Sequence, residues 1–143
     1  MDQQASRFTP GIWLPRHAPL TIIDRTTGLE WTARPVGGKR MTHQEAIDAC
    51  AALDLDGQRN WHLPTLQELE SLRDITRFDP CIDTDVFPDF PSSWFWTSDP
   101  AKWSEQEDGS FSAAWGVGFY NGLVDGYPRG SNGFALACRR AGQ

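Results

Sequence analysis

Residues 113–127 read AAWGVGFYNGLVDGY, with Trp115, Val117 and Phe119 alternating with small residues and Asn121-Gly122 separating this run from a second one. Alternation turns one side of an extended segment toward a core, and both Asn and Gly tolerate positive φ, so an antiparallel hairpin is expected here. Gly116 and Gly118 leave the opposite face nearly bare. An aromatic side chain from elsewhere is expected to cover them; the sharper alternative is close backbone approach by a ligand or another chain.

The flanking sequence supplies the remaining elements. LTIIDRTTGLEW predicts a second hairpin, with strands over 20–24 and 29–32 around a turn where Gly28 takes positive φ and Asp24 accepts backbone hydrogen bonds. MTHQEAIDACAALDLDG predicts a helix: Thr42 and Glu45 make a capping box, Ala46, Ile47, Ala49, Cys50 and Leu53 form the apolar stripe, and Gly57 ends it. NWHLPTLQELESL repeats that logic with Thr65 and Glu68, and with Leu66, Leu69, Leu72 and Ile75 as the stripe. Ahead of that cap, Pro64 halts any helix, while Trp61 and Leu63 face the core and His62 faces away.

RFDPCIDTDVFPDFPSS is expected to be irregular, WFWTSD a short strand, AKWSEQEDGSFS a polar excursion, and FALACRR a last strand reached through the loop PRGSNG. Strands, two helices and then strands make an α+β fold with an antiparallel sheet. Residues 1–19, with Pro10, Pro15 and Pro19 and no periodicity, read as an N-terminal arm, and 20–143 as a single domain.

Charge and motifs narrow the function. With 19 acidic against 13 basic residues, a net charge of −6 and no basic cluster beyond Lys39-Arg40 and Arg139-Arg140, neither nucleic acid nor an anionic membrane is expected as partner. No stretch approaches the roughly 18 apolar residues of a membrane span. The N-terminus lacks the order of a signal peptide, which leaves two locations: extracellular or at the cell surface if a signal has been removed, and cytoplasmic otherwise. No GxSxG, HExxH or paired-carboxylate signature is present; His62 has no identifiable partner, and no catalytic residue or cofactor is expected. The acidic loop SEQEDG reads as solvated rather than as a calcium site.

Cys50, Cys81 and Cys138 make no CxxC, and together with His17, His43 and His62 they show no zinc-ligand spacing, so no metal is expected. Cys50 lies on a helix stripe and Cys138 on a strand face with Phe134 and Leu136, so both point to the core, where they could meet. In an oxidising compartment their bond would stabilise by about 4–5 kcal/mol in the chain-entropy model; in the cytosol they are two small core residues. Cys81 is expected to be an ordinary half-buried cysteine, with a reactive thiol or an intermolecular bridge as the alternative.

Taken in order, DRTTGLEW, DACAAL, GQRNWHLPTLQELESL, CIDTDVFP, FWTSD, AAWGVGFYNG and ALACRR resemble the bacterial family named for the C-terminal domain of the Legionella collagen-like adhesin, over residues 20–140. The resemblance implies a C-type lectin-like fold, two helices on an antiparallel sheet with long loops on one side, and a disulfide between Cys50 and Cys138. It also implies a binding role, since the named member is a trimeric surface adhesin that recognises sulfated glycosaminoglycans.

Two departures stand out. His62 occupies a position that is usually arginine, and a chain of net charge −6 suits a sulfated polyanion only if Lys102, Arg129, Arg139 and Arg140 share one face. LPTLQELE also resembles formylglycine-generating oxidases, but those hold copper with a cysteine pair near the C-terminus, where this chain has Cys138 alone. The Glu-Pro-Asn, Gln-Pro-Asp and Trp-Asn-Asp motifs of calcium-dependent lectins are absent.

The expected function is therefore a non-catalytic recognition or adhesion module. Its glycan or protein ligand would meet Trp103, Tyr127, Arg129, Ser131 and Asn132, the aromatics stacking and the polar groups hydrogen bonding. The alternatives are an oxidase-like enzyme using Cys81 or Cys138 with a metal, and a structural domain that forms a homo-oligomer, a trimer by analogy.

Overall fold

Both capping boxes start helices in the computed structural model, which describes residues 6–14 and 18–142; Pro15 and His17 of the arm lie outside them. Helix α1 (His43–Ala51) opens with Thr42 Oγ1 accepting the Glu45 N–H at 3.4 Å while the Glu45 carboxylate accepts the Thr42 N–H at 2.9 Å. Helix α2 (Leu66–Glu70) opens in the same way, with Thr65 and Glu68 at 3.1 and 2.9 Å.

Both helices are shorter than their stripes suggest. Helix α1 stops well before Gly57: the Asp54 carboxylate accepts the Gly57 N–H at 2.9 Å and closes a turn over 54–58. After α2, Asp74 Oδ1 accepts from both the backbone N–H and the hydroxyl of Thr76. Side chains that bid for backbone donors in this way end helices. Leu69 and Leu72 remain buried, but Ile75 leaves the stripe and is 85 % exposed.

The strands make two antiparallel sheets rather than one. The first orders β1 (Phe8–Pro10), β2 (Thr21–Asp24), β3 (Leu29–Thr32) and β7 (Cys138–Arg140) as β1-β2-β3-β7; the second is β4 (Trp94–Pro100), β5 (Ala113–Gly118) and β6 (Val124–Pro128) in chain order. Part of the arm is thus an edge strand, and its Arg7 donates two hydrogen bonds to the buried Asp24 carboxylate at 2.9 and 2.7 Å. The β2–β3 hairpin turns at Gly28, whose φ is 78°.

The β5–β6 hairpin pairs Val117 with Val124, so its connection spans 119–123 rather than two residues. Gly122 still takes positive φ, 77°, and its N–H donates to Gly118 O at 2.7 Å. Tyr127 covers the bare face of Gly116, where a Cβ would sit 2.8 Å from the ring, and Asn121 and Tyr120 cover Gly118.

Residues 134–138 join the sheets. Phe134 exchanges backbone hydrogen bonds with Trp94 and Trp96, Ala137 O accepts the Thr32 N–H at 2.9 Å, and β7 continues the ladder beside β3. Side chains along this segment alternate between two cores. Phe134, Leu136 and Cys138 pack with Trp31, Phe87, Phe95 and Phe119, whereas Ala135 and Ala137 pack with Cys50, Trp61, Leu63 and Trp96.

Candidate functional site

The two loops expected to carry a ligand lie edge to edge. Arg129 N–H donates to Ser112 O at 2.9 Å, and Ser112 N–H donates to Ser104 O at 3.3 Å. Trp103 sits on the 3-10 turn Lys102–Ser104 and is 69 % exposed. Its indole rests on β6 at Gly126, where a Cβ would come within 2.7 Å of the ring. Asn132 is exposed, and Ser131 is half-buried with its N–H donating to Pro128 O at 2.9 Å.

Tyr127 and Arg129 spend their chemistry inside the fold. The Tyr127 ring stacks on Trp94 with centroids 3.7 Å apart and planes within 2°. Gly126 pairs with Trp115 and Tyr127 with Ala114, so Trp103 and Tyr127 lie against opposite faces of β6. Arg129 donates from Nε to His43 Nδ1 at 2.8 Å and from Nη2 to Gln44 Oε1 at 3.1 Å.

Three of the four basic residues Lys102, Arg129, Arg139 and Arg140 have partners within the fold. Arg139 is buried in an ion pair with Glu30 at 3.0 Å, and Lys102 pairs with Glu105 at 2.9 Å.

His43 is a buried group the sequence reading passed over. Arg129 can only donate, so Nδ1 accepts and the Nε2–H donates to Thr97 O at 2.8 Å, which defines the neutral Nε2–H tautomer. Burial first, then the charge of Arg129, lowers its pKa from the ordinary 6.5. Its spacing from Ala46 and Cys50, three and seven residues on, is the signal that marked it as inward-facing.

His62 does face away from Trp61 and Leu63, but it is not without partners. It forms an antiparallel bridge with Cys138, each N–H donating to the other's carbonyl at 2.9 and 3.0 Å, which places the two side chains on one face. Its Nε2 lies 3.3 Å from Cys138 Sγ and 3.2 Å from Glu68 Oε1, and Sγ lies 3.7 Å from the same carboxylate oxygen. Glu68 Oε1 also holds the capping bond from Thr65. His62 is half exposed, Glu68 a quarter exposed, and Cys138 fully buried. These ligand types come from three separate elements, so no local spacing could reveal them.

All three cysteines are free thiols and all are buried, Cys81 included at 4 % exposure rather than half-buried in its loop. Burial pushes the Cys50 thiol up to about 12, and its Sγ lies 3.7 Å from Leu136 O. Cys138 is raised further, by burial and then by Glu68. Neither of these two thiols is an activated thiolate.

Beyond these sites, Ile75, Phe78 and Leu123 are exposed, on two segments tied together where Arg73 Nη1 donates to Gly122 O and Cys81 N–H to Phe119 O. Among the described residues no helix is long and apolar enough to cross a membrane. The model of the family described as the Lcl C-terminal domain matches residues 20–140. No curated protein matches the chain.

Proposed function

Because the chain belongs to the Lcl C-terminal domain family, we propose that it is a surface, adhesin-type recognition module that binds a glycan or protein ligand through the loops at 101–112 and 128–133. The observation that carries this reading is Trp103: a large aromatic, 69 % exposed, seated on a glycine of a paired strand. A ring held in place stacks on a ligand without losing much conformational freedom, which is why fixed aromatics serve as anchors. Asn132 and Ser131, on the loop joined to that of Trp103 through the Arg129–Ser112 backbone bond, supply hydrogen bonds, while Tyr127 and Arg129 hold the loop through Trp94 and His43. The acidic balance and the buried Arg139 favour a neutral glycan or a protein over a sulfated polyanion.

The non-catalytic part of the reading is supported by the protonated thiols of Cys50 and Cys138. It is also supported by the geometry at His62. A nucleophile triad needs its acid on the ring nitrogen opposite the nucleophile, whereas Cys138 and Glu68 both approach Nε2. The two helices, two antiparallel sheets and loop-rich surface are compatible with a C-type lectin-like arrangement.

A glycan array probed with wild type and with Trp103→Ala tests the module. The expected result is at least about tenfold weaker binding in the variant at unchanged melting temperature, as for an interface anchor. Equal binding by both would sink the assignment. The second reading, an oligomerising structural domain, is favoured by the exposed Ile75, Phe78 and Leu123; a concentration-independent trimer by light scattering with no array ligand would select it.

A further inference from the structure

Three atoms of different chemistry converge at the His62 corner. Imidazole nitrogen, carboxylate oxygen and sulfur are separated by 3.2, 3.3 and 3.7 Å. An ion bound tetrahedrally at roughly 2.0–2.1 Å from nitrogen, 2.0–2.2 Å from oxygen and 2.3 Å from sulfur would hold its ligands about 3.3–3.6 Å apart. The three edges present match those of such a coordination triangle to within about 0.3 Å.

Each ligand is fixed independently of any ion. His62 and Cys138 are locked by their paired backbone hydrogen bonds, and Glu68 is locked by the cap it makes with Thr65. Such a corner needs little reorganisation on binding. We propose that His62 Nε2, Glu68 Oε1 and Cys138 Sγ form a three-ligand site for a divalent transition-metal ion of the zinc type. One sulfur, one imidazole and one carboxylate select a borderline-soft ion over calcium or magnesium. The half-exposed His62 leaves the fourth coordination position toward solvent, for water or an external donor atom.

Binding is a ligand exchange with no redox step. The Cys138 S–H bond breaks, its proton passes to solvent, and the electron pair left on sulfur forms the S–metal bond, so that R–SH + Zn²⁺ gives R–S–Zn⁺ + H⁺. The bound ion would clasp the 60–64 segment, α2 and β7 together. This inference does not depend on the loop-borne ligand.

Reduced full-length protein, stripped of metal and titrated with zinc chloride by calorimetry, is the test. One ion per chain is expected, with release of about one proton. Cobalt substituted for zinc is expected to show thiolate-to-metal charge transfer and tetrahedral d–d bands. His62→Ala changes an exposed side chain and Glu68→Gln keeps an oxygen for the cap; each, confirmed folded by circular dichroism, is expected to bind zinc more than about 100-fold more weakly, beyond what outer-shell losses cost. Failure to bind a stoichiometric ion, unchanged affinity in both variants, or a Cys50–Cys138 disulfide in freshly isolated protein, which consumes the sulfur, would each overturn the proposal.

Discussion

His43 and His62 each lie within three residues of a threonine cap whose glutamate follows three residues later, yet the fold treats them oppositely. His43, the first residue of α1, shares the helix face of Ala46 and Cys50 and is sealed between Arg129 and Thr97 O. His62, three residues ahead of its cap, alternates with buried Trp61 and Leu63 and so turns outward, toward a thiol and a carboxylate. Periodicity decides the fate of each ring: helical spacing buries one, and strand alternation leaves the other able to take a ligand. The two glutamates differ accordingly. The Glu45 carboxylate accepts the cap bond and otherwise faces solvent, while Glu68 caps α2 and also faces the His62 corner.

The largest expected effect separates the histidines by stability. His43→Ala strands the Thr97 carbonyl and the Arg129 Nε–H and opens a buried hole, so it should cost about 2–4 kcal/mol in urea denaturation. His62→Ala, measured without metal, should stay within about 0.5 kcal/mol. Equal losses would break the contrast.

Acid should act through His43 next. Its folded pKa lies below the ordinary 6.5, so the unfolded chain takes up the proton first as pH falls. The stability it contributes is present above 6.5 and is lost toward the folded value, at no more than about 1.4 kcal/mol per pH unit for one proton. Urea midpoints across mildly acidic pH should show this slope in wild type and lose it in His43→Gln.

The smallest effect concerns the caps. Thr42→Ala and Thr65→Ala should each cost about 1 kcal/mol by thermal denaturation. Neither should change zinc affinity much, because the Glu68 carboxylate is held by the Thr65 backbone N–H, which alanine keeps; a large loss of affinity in Thr65→Ala alone would show that the hydroxyl positions the corner.

Much of this fold is legible in the sequence. Capping boxes, Gly28 and the alternation around Trp115 and Val117 act through near neighbours in the chain, and the elements they predict are present, as is the burial of Trp61, Leu63 and Cys138. Helix ends are less legible, since Asp54 and Asp74 close turns through side-chain hydrogen bonds that the apolar periodicity does not register. The division into two sheets depends on how Phe134 meets Trp94 and Trp96, a long-range pairing that has no local pattern. For the loop surface, exposure of Trp103 and Asn132 agrees with loop composition, whereas Tyr127 and Arg129 were engaged by Trp94 and His43, which only the tertiary fold brings near. His62, Glu68 and Cys138 meet for the same reason, across up to 76 residues of sequence.

The most direct test of the contrast is a long-range proton–nitrogen NMR spectrum of the histidine rings, recorded on reduced protein before and after one equivalent of zinc. The expected result is a neutral Nε2–H tautomer for His43 that zinc does not move, and a large shift of His62 Nε2 alone on metal addition. A His62 nitrogen unchanged by zinc, or a His43 ring in the opposite tautomer, would contradict it.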